Sequence, residues 1–100
     1  MNEYRIDCTQ LKDRASAHEY LAKVFSFPEW YGKNLDALFD LLRDLEDCTV
    51  IIENTDALST LGVYGEALIS TIKDAAKENF NIKIFTKTYL KQSSNITDIK

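Results

Sequence analysis

Thr49-Val50-Ile51-Ile52-Glu53 is short, β-branched and nearly all apolar. Such a run suits a strand covered on both faces, as in a parallel sheet. Parallel neighbours need crossover connections, so helices are expected on either side of it. Upstream, Leu35, Leu38, Leu42 and Leu45 recur at spacings of three, four and three, flanked by Phe39 and Leu41. That stripe predicts a helix to about Leu45, with Asn34 as its N-cap. Downstream, Asn54 or Thr55 can start a short helical turn that ends before Gly62. A longer helix is then expected from about Gly65 to Glu78, burying Leu68, Ile69, Ile72, Ala75 and Ala76, with Asn79 as its C′ residue.

Further out, Ser16 with Glu19 three residues on reads as a capping box for a helix to about Phe25. Ala17, Tyr20, Leu21, Val24 and Phe25 share one of its faces. Tyr4, Ile6 and Cys8 alternate with Arg5 and Asp7, and Ile82, Ile84 and Thr86 with Lys83, Phe85 and Lys87, which is the period of a strand. Pro28 to Gly32 reads as a loop, with Gly32 permitting unusual backbone angles. The order β-α-α-β-α-α-β implies an α/β fold: a small three-stranded parallel sheet packed by about four helices, with right-handed crossovers. Residues 1–89 are expected to form a single domain and residues 90–100 a polar tail.

The chain has 100 residues, 45% hydrophobic and 28% charged, with three glycines and one proline, a composition that fits one small globular domain rather than a disordered chain. No apolar run approaches the roughly 20 residues of a membrane helix. The opening MNEYRIDCTQ lacks a basic region followed by an apolar stretch, so a cytoplasmic protein is expected. The net charge of −4 argues against nucleic acid as a partner, because phosphate neutralisation needs a basic surface. Cys8 and Cys48 form no CxxC, and with a single histidine the chain lacks the ligands of a structural zinc site, so no metal or cofactor is expected. Both cysteines read as small buried hydrophobes that can approach each other if their strands are neighbours. His18 is expected on the exposed or boundary side of its helix, with no nucleophile motif beside it.

The stretch from 28 to 47, PEWYGKNLDALFDLLRDLED, concentrates charge and aromatics. Asp36, Asp40 and Asp44 fall at i, i+4 and i+8 on one helix face, and Asp47 extends that side. Like charges at this spacing oppose the helix by roughly 0.2–0.5 kcal/mol per pair. Two readings follow. The row is a solvated face, with Asp36 favouring the helix dipole; or, with Trp30 and Tyr31 just before it, the row is an interface whose aromatic anchors meet a basic partner. A glycosidase-like acid–base pair is disfavoured, since neighbouring turns of one helix form a convex surface and not a cleft.

PEWYGKNLDALFDLL resembles the central segment of the barstar family, intracellular inhibitors of ribonucleases. The resemblance lies in the Pro-Glu-aromatic-Tyr-Gly loop, Asn34-Leu35-Asp36-Ala37-Leu38 and a second aspartate, Asp40, four residues after the first. It extends over residues 3 to about 86, with a weaker match at Lys73-Asp74-Ala75. It implies a three-stranded parallel sheet and an acidic helix that, with the preceding loop, plugs the substrate cleft of a basic ribonuclease. Asp40 would be the central carboxylate, Asp36 a second acidic contact, Trp30 a contacting aromatic and Asp74 the acidic contact of the last long helix. The expected partner-binding set is Trp30, Tyr31, Gly32, Asn34, Asp36, Phe39, Asp40, Asp44 and Asp74. The protein would be a stoichiometric inhibitor, a monomer when free, and not an enzyme.

Departures from the family pattern bear on the target more than on the fold. Lys33 stands where an acidic residue is common, and Asp74 where a glutamate is usual. Arg43-Asp44-Leu45 replaces a small-Gly-Trp stretch, and Arg43 can repel a basic cleft. The link from Glu53 to Asp74 is about three residues shorter by ungapped count. Leu41 and Phe80 stand in place of the family's buried cysteines. Lys33 and Arg43 favour the alternative reading, a module of the same fold that binds a different basic protein.

Overall fold

A computed structural model describes residues 2–87. Strand β1 (Asn2–Asp7) leads through a short 3-10 turn to helix α1 (Arg14–Phe25), and a loop then leads to helix α2 (Leu35–Arg43). Strand β2 (Cys48–Glu53) follows, then a 3-10 helix over Thr55–Leu61, helix α3 (Val63–Glu78) and strand β3 (Ile82–Lys87). The sheet order is β1-β2-β3 and both pairings are parallel. This is the expected α/β architecture, with the 3-10 segment as its fourth helix. The expected tail, residues 90–100, lies outside the described residues.

The sheet departs from expectation in one respect: among the described residues, the helices pack on one face of β2. Cys48, Val50 and Ile52 point into the core with Ile6, Ile82 and the flanking Tyr4 and Ile84. On the other face the register sets Ile51 between Arg5 and Phe85, and none of the three joins that core. Right-handed crossovers that always step to the next strand in one direction put every helix on the same side. Ile51 is nonetheless 7% exposed, between Arg5 and Phe85 in the register, and Arg5 makes an ion pair with Glu53 at 2.9 Å. A fully apolar strand therefore does not by itself require two helical layers.

The helix ends differ from the sequence reading by a few residues, each for a visible reason. Helix α1 begins before Ser16 because Asp13 is its cap, its carboxylate accepting the Ser16 N–H at 2.8 Å. Asn34 caps α2 as expected, accepting the Ala37 N–H at 2.8 Å. That helix stops at Arg43 rather than Leu45, where the Asp44 and Leu45 N–H groups bond back to Leu41 O and Leu42 O, each at 3.2 Å, and the Asn79 side chain joins the same end. The Asn79 amide donates to Leu42 O at 3.2 Å and Leu45 O at 2.9 Å. Asn79 thus meets two helix ends, that of α2 through its side chain and that of α3 through its backbone N–H on Ala76 O, and its backbone is extended (φ −127°), not the left-handed C′ conformation expected.

The core forms from the predicted stripes: Ala17, Leu21 and Phe25 of α1, Leu38 and Leu42 of α2, and Leu68, Ile72 and Ala75 of α3. Helices α2 and α3 pack together over it. Cys8 and Cys48 are buried free thiols. Their strands are neighbours, yet the parallel register pairs Cys48 with Asn2, six positions from Cys8, or roughly 20 Å along the strand. Burial pushes the Cys8 thiol up to about 11, and that of Cys48 upward as well.

Candidate functional site

Helix α2 turns Leu38 and Leu42 inward, which leaves Asp36, Asp40 and Asp44 on its exposed side. None of the three has an ion-pair partner among the described residues. Asp36 lies in the first turn, where a carboxylate meets the positive end of the helix dipole. Asp40 is in the middle of the helix and Asp44 is its C-cap residue. Phe39 is partly buried, with the Arg43 guanidinium 5.4 Å from its ring centre.

The cations near this face are each paired with an anion of α1 or α3. Arg43 reaches across to α3 and pairs with Glu78 at 3.7 Å. Lys33 turns back to Glu19 of α1 at 3.9 Å. Both pairs are exposed and add little to stability, but each sets an anion against the positive charge.

Helix α3 contributes Asp74. Both α2 and α3 precede parallel strands, so they run alongside in the same direction, and the Arg43–Glu78 pair joins their last turns. One turn back from that pair, Asp74 shares the face of Glu78. Its side chain is 57% exposed, with Lys77 of its own helix at 3.9 Å.

The loop before α2 splits its two aromatics. Trp30 is 75% exposed, while Tyr31 is 5% exposed and packs its ring on Phe27 at 4.8 Å between centres. The Tyr31 ring is thus a core group and not a surface contact. Gly32 and Asn34 are exposed. The left-handed backbone expected of Gly32 belongs instead to Lys33 (φ 56°). A Cβ on Gly32 would lie 3.4 Å from Ala37 Cβ and 3.3 Å from the Asn34 amide, so the glycine keeps the loop close to the helix start.

His18, expected at the boundary, is 2% exposed. Its Nδ1 lies 2.6 Å from Tyr31 Oη and its Nε2 2.6 Å from Tyr64 Oη. Burial depresses the basicity of the imidazole and raises the Tyr31 phenol. The sequence carried one faint signal for this, since His18 is adjacent to the apolar face at Ala17 and Leu21. Its partners, 13 and 46 residues away, could not be read from spacing. Beside it opens a cleft of about 500 Å³ that Arg14, Lys33, Asn34 and Asp36 also line. Among the described residues no cluster of three or more His, Cys, Asp or Glu could hold a metal ion, and no helix is long and apolar enough to cross a membrane.

A three-stranded parallel sheet packed by helices, one of which exposes a row of aspartates, defines a small α/β protein with an acidic helix face. The sequence model described as Barstar (barnase inhibitor) matches residues 1–87. A protein of Bacillus subtilis (strain 168) named "Putative ribonuclease inhibitor YrdF" is 32% identical over 81 residues, covering 78% of this chain and 89% of the relative. The chain belongs to the barstar family.

Proposed function

We propose that this protein inhibits a basic ribonuclease by setting α2 and the loop before it into the enzyme's substrate cleft. The observation that carries the reading is the row Asp36, Asp40 and Asp44, exposed on one helix face with no internal ion pair. A cleft that binds RNA must present Arg and Lys to phosphates. Carboxylates held on a rigid helix satisfy the same groups through charge-assisted hydrogen bonds. Asp40 acts as the central phosphate mimic, with Asp36 toward the helix start, Asp44 at its end and Asp74 entering from α3. Trp30 supplies apolar contact at the rim, and Gly32, Asn34 and Phe39 complete the surface. The relative's name and the family description both point to ribonuclease inhibition. The action is occupation of a site, with no chemical step.

The pairing of Lys33 with Glu19 and Arg43 with Glu78 favours this reading over a module for some other basic protein, since neither cation stands alone beside the aspartates. Complementary fields speed encounter, which matters when the enzyme attacks the host's own RNA. The site of action is then the cytoplasm, where free thiols such as Cys8 and Cys48 persist, and the free inhibitor is a monomer.

The test is titration calorimetry of wild type and Asp40→Ala against barnase, beside an RNA-cleavage assay. The variant should bind about 2–5 kcal/mol more weakly, the cost usual for truncating a buried interface charge and a range that rests partly on barnase–barstar itself. Its melting should stay within about 0.5 kcal/mol of wild type, because an exposed aspartate without a partner holds nothing in the fold. Unchanged affinity in a folded variant refutes the role of Asp40.

A further inference from the structure

A polar chain, Tyr31–His18–Tyr64, with Tyr31 and His18 buried and Tyr64 partly buried, joins three separate pieces of the fold. His18 is on α1, Tyr31 in the loop that carries Trp30, and Tyr64 in the first turn of α3. Both hydrogen bonds are 2.6 Å long, and the Arg14 guanidinium covers the Tyr64 ring at 4.4 Å. A neutral imidazole has one N–H and one lone pair, so one hydroxyl accepts from it and the other donates to it. An apolar residue at position 18 would fit the buried face but leave both hydroxyls without this partner.

The loop needs such an anchor. Among the described residues, the hydrogen bonds within the loop near Trp30 are the Tyr31 N–H on Pro28 O at 3.0 Å and the Asn34 side-chain amide on Gly32 O at 3.3 Å. The Trp30 ring has no ring contact or side-chain hydrogen bond among the described residues. The direction in which it stands out is therefore set by the backbone, and the next residue along that backbone is Tyr31.

We propose that His18 is a positioning residue for the binding loop: by bonding Tyr31 through Nδ1 and Tyr64 through Nε2, it fixes the loop and Trp30 against α1 and α3 before a nuclease arrives. Its functional consequence rests on the inhibitor reading above. A loop ordered in advance loses less conformational freedom on binding, so affinity rises with no added contact.

Trp30, the chain's one tryptophan, reports the loop without any partner. His18→Asn places an amide near the position of Nδ1 and keeps the tie to Tyr31. His18→Gln reaches the position of Nε2 and releases Tyr31. Time-resolved fluorescence anisotropy, at temperatures where circular dichroism shows all variants folded, should show Trp30 gaining segmental motion in the Gln variant and in Tyr31→Phe. The Asn variant should stay near wild type. Inhibition of barnase should weaken about tenfold for Gln and Tyr31→Phe, the scale of one lost hydrogen bond, and much less for Asn. A purely structural His18 would make Asn and Gln equivalent in both readouts, and that result overturns the proposal. If wild type fails to inhibit barnase, the inhibitor reading fails for that enzyme, while anisotropy still decides the loop. If neither His18 variant folds, Tyr31→Phe decides alone, since it keeps the ring and removes only the hydroxyl; unchanged Trp30 motion there overturns the proposal.

Discussion

Glycine and its neighbours show how far single residues could be read. Gly32 drew attention because it follows Trp30 and Tyr31 in a loop, yet Gly65 has the harder constraint. A Cβ there would lie 2.7 Å from the backbone carbonyl of Leu58, where the 3-10 helix crosses the start of α3. Gly65→Ala gains about 1 kcal/mol of helix propensity, but forcing a methyl against backbone costs about 1–3 kcal/mol or more. A net loss of about 1 kcal/mol is expected, a fall in melting temperature of roughly 4–8 °C. Calorimetric melting checks it; a variant at least as stable as wild type would show that the 3-10 helix yields freely. The positive-φ residues Ser26, Lys33 and Asn54 could not have been found from the glycines, because none of them is one.

At the scale of elements, the junction of α2 and α3 is held by one buried amide more than by the ion pair above it. Asn79 is 7% exposed and donates to two carbonyls of the α2 end, while its own Oδ1 accepts the Asn81 N–H at 3.0 Å. Asn79→Ala removes the side-chain donor to Leu45 O and the acceptor of the Asn81 N–H, while Leu42 O keeps the Leu45 N–H, and should cost about 1–3 kcal/mol. Arg43→Ala, which breaks an exposed pair, should cost under about 1 kcal/mol. Urea titration of both variants ranks them, and equal losses would contradict this account. The leucine stripe and the Asn34 cap of α2 were legible because both are local. The side chain that joins the end of that helix was not, because Asn79 lies 34 and 37 positions beyond the carbonyls it meets.

For the whole molecule, buried His18 ties stability to pH. Its folded pKa is depressed below the ordinary 6.5 by burial, so the unfolded chain binds the proton more readily. The stabilisation is complete above about pH 6.5 and is lost as pH falls from there through the folded value. Asp7, lowered by hydrogen bonds from Asn54 and Thr9, and Asp13, lowered by those from Ser16, act in the same direction further down. Their share is present above about 3.8 and lost below it. Melting temperature should therefore be flat from about pH 7.5 to 6.5, decline below that, and decline again near pH 4. His18→Gln should abolish the first decline and leave the second; a first decline that survives the substitution rules out His18 as its cause.

What the sequence determined is whatever repeats along the chain or acts over a few residues: the alternation of the strands, the leucine face of α2, the cap at Asn34 and the aspartates one turn apart. Periodicity assigns each side chain to a face, and a helix with one apolar face has little freedom in which side it turns inward. Only the tertiary structure decided what lies against each face. It packed the described helices on one side of β2, drew His18 into the core between two tyrosines, turned Tyr31 in and Trp30 out, and set Glu78 against Arg43. Those outcomes depend on partners distant in the chain, because a polar group is buried only where another group, brought there by the fold, can satisfy it.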